Sequence, residues 1–353
     1  MSLVWADVPA PVRETFARGT VIPAHPLALD AQRNLDARRQ RGLTRYYVDA
    51  GAGGLAVGVH STQFAIRDAG LYAPVLELAA QTAASATTRP LVLIAGLVGK
   101  TAQAVAEAHT AVGLGYHAGL LSLAAFAGAS EDEIIAHCAA VAATIPLVGF
   151  YLQPAVGGIR LSRNFWQRFA AIDNVIGIKI APFNRYATLD VLRGVANAGA
   201  EERITLYTGN DDHIVLDLLL PFTVERAGEP VTLRIAGGLL GHWSVWTKTA
   251  VALLERIHAA LDADTIAPDL LALDARVTDC NAAFFDVAND FHGAIAGCHE
   301  VLRRQGLLAG IWCLNEHETL GSGQAAEIDR VYREHADLAD DAFVTANRER
   351  WLS

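Results

Sequence analysis

The sequence predicts an α/β chain, a (β/α)8 barrel followed by a C-terminal helical extension, and three observations carry that prediction. Short apolar runs alternate with amphipathic, alanine-rich stretches, as strands buried on both faces alternate with crossover helices. Eight such pairs fit into about 250 residues, the usual size of this barrel. Beyond residue 263 the strand pattern stops and only helical patterns remain.

The first strand is read in "RGTVIPAH" (18–25) and the next in "GLAVGV" (54–59), with a helix at 31–49 between them. "PLVLIAG" (90–96) and "AGLLSLAA" (118–125) follow helices at 71–86 and 100–114. A capping box, Ser130 with Glu133 three residues on, opens the helix at 130–144. "PLVGFYL" (146–152) leads to a helix at 161–172 that Ser162 caps ahead of "RNFWQRF". The last three units are "VIGIKIA" (175–181) with helix 186–199, "RITLYTG" (203–209) with helix 211–219, and "VTLRIAGGLL" (231–240) with helix 247–261. An open doubly wound sheet is the structural rival, but no glycine-rich phosphate loop follows the first strand. Helices are then expected at 265–285, 287–305 and 323–348, which divides the chain into a barrel domain, 1–262, and an extension, 263–353.

Composition narrows the function. The net charge of −10 and the lack of a basic run interleaved with aromatics argue against nucleic acid as a partner. No apolar run of about 18 residues occurs, and the N-terminus lacks a basic segment followed by an apolar one, so a cytoplasmic protein with no membrane partner is expected. The four cysteines, Cys138, Cys280, Cys298 and Cys313, form no C-x-x-C pair and read as reduced thiols rather than zinc ligands.

The most informative stretch is "NVIGIKIAPFNR" (174–185), where Lys179 stands among Val175, Ile176, Ile178 and Ile180. Only Lys100 and Lys248 accompany it, since arginine supplies the other positive charges. An ammonium surrounded by apolar walls loses solvation, which lowers its pKa and yields an amine able to attack a carbonyl and form a Schiff base. Pairing with an inward carboxylate, or snorkelling from the strand end, is the alternative. Chemistry in such barrels sits at the C-terminal ends of the strands, and Lys179 falls toward that end of the sixth. Tyr151, at the corresponding end of the fifth, is the candidate proton carrier beside it.

"IPLVGFYLQPAVGG" and "NVIGIKIA", with 28 residues from Tyr151 to Lys179, resemble the dihydrodipicolinate synthase / N-acetylneuraminate lyase family of class I aldolases. "YYVDAGAGGLAVGVHSTQF" (46–64) is similar to that family's second strand and carboxylate-binding loop, and "YTGNDD" (207–212) to its segment on strand seven. The resemblance implies that Lys179 forms an imine with a 2-oxo acid of the pyruvate type and that Tyr151 shuttles the proton. It further implies that Ser61 and Thr62 hold the keto-acid carboxylate, and His60, Gly209 and Phe126 complete the substrate-binding candidates. The expected reaction makes or breaks a C–C bond with a small-molecule 2-oxo acid and an aldehyde, with no cofactor and no metal. Loss of water from a keto-deoxy sugar acid through the same imine is the alternative. A homodimer or homotetramer is the implied assembly.

Two departures bear on the substrate. Val156 stands where relatives acting on amino-acid semialdehydes carry an arginine, and "SLAAFAG" (122–128) lacks the tyrosine that completes an intersubunit relay. A more apolar co-substrate pocket is therefore expected, lined by Phe64, Phe126, Phe183 and Trp243. His60, His213 and His242, with Asp211 and Asp212, raise a metal-dependent enzyme as a rival, although no H-x-H or H-E-x-x-H spacing appears. A catalytically silent binding barrel is the third reading.

Overall fold

The computed structural model describes residues 2–263 and 265–353. The chain begins with a helix that the periodicity did not disclose, α1 (Ala10–Arg18), which has a proline in its first turn and closes the N-terminal end of the barrel. Its Phe16 stacks on Tyr207 at 4.9 Å between ring centroids, and the Tyr207 hydroxyl donates to the Phe16 carbonyl at 2.7 Å.

Strand–helix units then follow in order. They are β1 (Val21–Pro23) with α2 (Ala37–Ala50), β2 (Gly54–Val57) with α3 (Tyr72–Ala86), and β3 (Val92–Leu97) with α4 (Thr101–Gly113). Next come β4 (Ala118–Leu121) with α5 (Glu131–Ala142), β5 (Leu147–Leu152) with α6 (Arg163–Ala170), and β6 (Val175–Ala181) with α7 (Arg185–Asn197). The capping box at Ser130 and Glu133 is present, and Ser162 caps α6 by accepting from the Phe165 N–H.

The seventh and eighth units depart from the expected pattern. After β7 (Thr205–Thr208) the helix α8 (Ile214–Leu219) is short, and an antiparallel hairpin of β8 (Pro221–Arg226) and β9 (Glu229–Leu240) intervenes. Ala227 and Gly228 have φ of 54° and 91°, the doubly left-handed backbone that matches a tight hairpin to strand twist. Only the second half of β9 belongs to the barrel, pairing in parallel with β7 and with β1. The parallel order β1-β9-β7-β6-β5-β4-β3-β2 is closed by the bridge between Ala24 and Ala56, so the ring is the (β/α)8 barrel the sequence predicts.

Beyond α9 (Thr247–Asp262) lie α10 (Pro268–Phe284), α11 (Ala294–Arg304), α12 (Gln324–Glu334) and α13 (Asp341–Trp351). The helix expected from 287 starts only at Ala294, because Asp286, Asp290 and Phe291 all take left-handed φ values. The helix expected over 323–348 is two helices, α12 and α13, separated by a turn. Helix α13 is tied to the barrel: Arg45 on α2 donates to the Trp351 carbonyl at 2.6 Å, and the Tyr46 hydroxyl donates to Asp340 at 2.7 Å. Among the described residues no helix is long and apolar enough to cross a membrane.

Two apolar layers result from the strands' alternation. Ile22, Ala56, Ile94, Leu120 and Val148 fill the barrel axis, while Leu55, Leu93, Ile178, Ile180 and Leu206 pack outward against the helices.

Candidate active site

Above the apolar plug of the barrel axis, the C-terminal ends of the strands enclose a cavity of about 60 Å³. Lys179 reaches it from β6, with Phe150 and Leu152 from β5, His60 and Ser61 from the turn after β2, and Gly209 and Asp211 from the loop after β7. Helix α11 and the segment before it close the mouth with Phe285, Phe291, Ala294, Ile295 and Cys298.

Residue parity on β6 explains the lysine. Ile178 and Ile180 point to the helical layer, whereas Gly177 and Lys179 point to the axis. A Cβ on Gly177 would come within 2.8 Å of Phe16, so the glycine makes room for the α1 plug and Lys179 stands in the layer above it. The Lys179 side chain is buried, with Nζ 4.5 Å from the centroid of the Phe150 ring. Gly209 is needed beside it, since an added Cβ would lie 2.6 Å from Lys179 Cε and 2.8 Å from Ala181 Cβ.

Asp211, which the sequence offers only as a metal-ligand candidate, is the carboxylate of the cavity. It is buried, and the His242 backbone N–H donates to its Oδ1 at 2.9 Å. Burial lowers the Lys179 pKa and raises that of Asp211, while their mutual attraction works the other way on both. The two groups are thus drawn toward neutrality together. Burial, and secondarily the Lys179 charge, push His60 down to about 4, so this imidazole is neutral near pH 7. Burial pushes the Cys298 thiol up to about 12.

A network behind the cavity fixes the Asp211 loop. Asp217 on α8 accepts from Thr208 Oγ1 at 2.7 Å and from Asn210 Nδ2 at 2.9 Å, and it pairs with Arg185. Asn210 Oδ1 in turn accepts the Phe183 N–H at 3.0 Å, which locks the loop after β6 to the loop after β7.

Three of the expected site residues lie elsewhere. Tyr151 faces outward: its ring packs on Trp166 of α6 at 5.2 Å, and its hydroxyl donates to the Leu161 carbonyl at 3.2 Å. Val148 and Phe150 take the inner positions of β5, and an irregularity in the pairing with β6 sets Phe150 opposite Lys179. The side chain over the lysine is therefore a phenyl ring without a hydroxyl. The spacing of 28 residues could not show this, because one extra strand residue reverses which side chain points in.

Thr62 is the second correction. Its hydroxyl donates to the His25 carbonyl at 2.6 Å and accepts the Gly58 N–H at 2.9 Å, and its own N–H goes to Val59, so it holds the turn that presents Ser61. Phe126 is the third, packed on His137 at 4.3 Å with Lys100 Nζ 4.2 Å from its ring centroid. Of the expected aromatic lining only Phe183 reaches the cavity. Trp243 lines a separate crevice beside α9 and α10, and Phe64 lies against His60 outside the cavity wall.

The histidines proposed as metal ligands are not brought together. His60 belongs to the cavity, His242 to the crevice, and His213 pairs with Asp274 at 3.3 Å. Among the described residues the converging donors are Asp279, Glu334 and His335, where Arg330 already binds both carboxylates at 2.8 Å.

Lys179 thus stands buried on the axis of a (β/α)8 barrel at the C-terminal ends of its strands, the end where enzymes of this fold carry their chemistry. The model of the Dihydrodipicolinate synthetase family matches residues 17–223, and the chain belongs to that family. Membership at this level supports a lyase of the aldolase type. Among solved structures, dihydrodipicolinate synthase of Acinetobacter baumannii complexed with pyruvate is similar with a TM-score of 0.74 and 16% identity, over 90% of this chain and 99% of that one. CdNal of Clostridium difficile, in complex with mannosamine, gives 0.71 and 16% over 90% and 98%. The enzyme of Cyanidioschyzon merolae with lysine bound gives 0.71 and 18% over 90% and 98%. At these identities the structures speak for the fold. No curated protein matches the sequence.

Proposed function

We propose that the protein is a class I lyase in which Lys179 forms a Schiff base with a 2-oxo acid and a C–C bond is then broken or made. The observation that carries this reading is the placement of Lys179, a buried amine of lowered pKa in a cavity at the catalytic end of the barrel. The neutral amine attacks the ketone, a proton is taken up as water leaves, and the resulting cationic imine accepts the electron pair released at the neighbouring carbon. This chemistry uses no cofactor.

Ser61 and the turn that Thr62 braces are proposed to receive the carboxylate of the oxo acid. Val156 lines the cavity where a second carboxylate would need a cation, and Phe183, Phe285 and Phe291 add apolar wall. The fragment that leaves or joins is accordingly an uncharged aldehyde rather than an amino-acid semialdehyde. Association as a homodimer or homotetramer belongs to the same reading, and light scattering measures it.

The test is intact-protein mass spectrometry after incubation with pyruvate and borohydride. A reduced adduct in the native protein and none in Lys179→Ala is the expected result. No adduct with pyruvate or with longer 2-oxo acids removes the reading.

A further inference from the structure

We infer that Asp211 is the proton carrier of this reaction, acting directly on the Lys179-bound substrate from the neighbouring loop after β7, which lines the same cavity. The inference rests on the imine reading and extends it, because an imine alone does not move the proton that C–C bond chemistry requires. A phenol beside the lysine is the carrier implied by resemblance, but Tyr207, the β7 neighbour of Lys179, spends its hydroxyl on the Phe16 carbonyl below the cavity. Phe150 occupies the position over Lys179, Tyr151 is turned to α6, and among the described residues no tyrosine lines the cavity.

The ionisable groups that face this space are few. They are Lys179 from β6, Asp211 from the loop after β7, His60 from the turn after β2 and Cys298 from α11. Lys179 is consumed in the imine. Cys298 keeps its proton far above neutral pH, and His60 is too weak a base at about 4 to hold one. Asp211 remains, with Asp212 beside it in sequence directed to Arg185 on the far side of the loop.

The geometry suits the assignment in two further ways. Asp211 and Lys179 line the same cavity, near enough to sense each other's charge, so a substrate held on the lysine meets the carboxylate. One carboxylate oxygen is anchored by the His242 N–H, and the loop itself is pinned through Asn210 and Asp217, so the carboxyl group is held by atoms that do not react. Burial raises its proton affinity above that of an ordinary carboxylate, which brings base and acid forms within reach of neutral pH.

With pyruvate, the neutral Lys179 amine attacks the ketone, one proton is taken up from solvent, and the ketone oxygen leaves as water, which gives the cationic imine. The Asp211 carboxylate takes a proton from the methyl carbon, and the C–H electron pair becomes the enamine double bond. The enamine carbon attacks an aldehyde carbon, the carboxylic acid of Asp211 gives its proton to the aldehyde oxygen, and water hydrolyses the re-formed cationic imine, which frees the neutral lysine and returns one proton to solvent. Cleavage is the reverse, with Asp211 taking the hydroxyl proton.

Pyruvate alone tests this, because enamine formation in D2O replaces its methyl protons by deuterium, which NMR reads without knowledge of the aldehyde. The native protein is expected to trap pyruvate with borohydride and to catalyse the exchange. Asp211→Asn should still trap it, since losing the nearby negative charge favours the neutral amine, while exchange falls about a hundredfold or more. Tyr151→Phe should exchange within about twofold of native, as an outward residue would. Exchange by Asp211→Asn near the native rate, failure of that variant to trap the imine, or a hundredfold loss in Tyr151→Phe each overturns the assignment. So does a native protein that traps pyruvate without exchanging it. A native protein that forms no adduct at all instead refutes the imine reading.

Discussion

Replacing Gly209 by alanine tests whether the exact course of the Lys179 side chain matters to the chemistry. The new Cβ would lie 2.6 Å from Lys179 Cε, 3.0 Å from Lys179 Cγ and 2.8 Å from Ala181 Cβ. Carbon atoms at rest stand about 3.5–4.0 Å apart, so each contact is too close by roughly 1 Å. The Ala181 methyl is fixed to the β6 backbone, which leaves the flexible lysine to yield. Overpacking of this kind costs about 1–3 kcal/mol, small enough for a chain of this size to stay folded. A displacement of about 1 Å at a reacting group, however, lowers rates by about a hundredfold. Urea unfolding should show the modest loss, and the rate of borohydride trapping with pyruvate, followed by intact mass, should fall by about that factor. A Gly209→Ala protein that traps pyruvate at the native rate would refute the argument that this glycine exists to let the lysine pass.

Three further outcomes follow from the same contacts. Thr62→Val removes a buried hydroxyl that both donates and accepts, so urea unfolding should register a loss of about 1–3 kcal/mol, and a loss below about 0.5 kcal/mol would contradict its bracing role. Asp217→Ala strands Thr208, Asn210 and Arg185; because Arg185 keeps partial contact with water, the cost should be about 2–3 kcal/mol rather than the 3–5 of a fully buried pair, and imine trapping should slow with it. His25 is fully buried and its pKa is pushed down by burial from 6.5 to about 4, so between those values the unfolded chain binds the proton that the folded chain refuses. Stability from this group is complete above pH 6.5 and drains away toward pH 4, by about 3 kcal/mol at most. Urea midpoints for native protein and His25→Gln across that range should show a shallower pH slope in the variant, and equal slopes would count against it.

The corrected residues share a cause. Lys179 was legible because a lysine inside a strand-length apolar run contradicts its surroundings, and burial of a charge is a physical anomaly that composition alone exposes. Gly209 and Ser61 were found through motif similarity and do line the cavity. Tyr151 was misplaced because side-chain direction in a strand depends on pairing register, and the irregularity between β5 and β6 is a property of two strands together. Thr62 was assigned to substrate because a hydroxyl in a binding loop looks the same in sequence whether it faces a ligand or a backbone carbonyl. Asp211 is singled out in sequence only together with Asp212, since nothing in "YTGNDD" reveals that one aspartate faces Lys179 while its neighbour faces Arg185.

The sequence by itself determined the alternation of strands and helices, the closed barrel and the lysine at its centre, because these rest on the periodicity of apolar residues and on the scarcity of a buried charge. It missed α1 and the β8–β9 hairpin, where polar and half-exposed faces carry little periodic signal. Only the tertiary structure decided which ring stands over the lysine, which carboxylate shares its cavity, and that α11 with Phe291 closes the mouth. Those choices depend on register and on contacts between residues far apart in the chain, which local pattern does not encode.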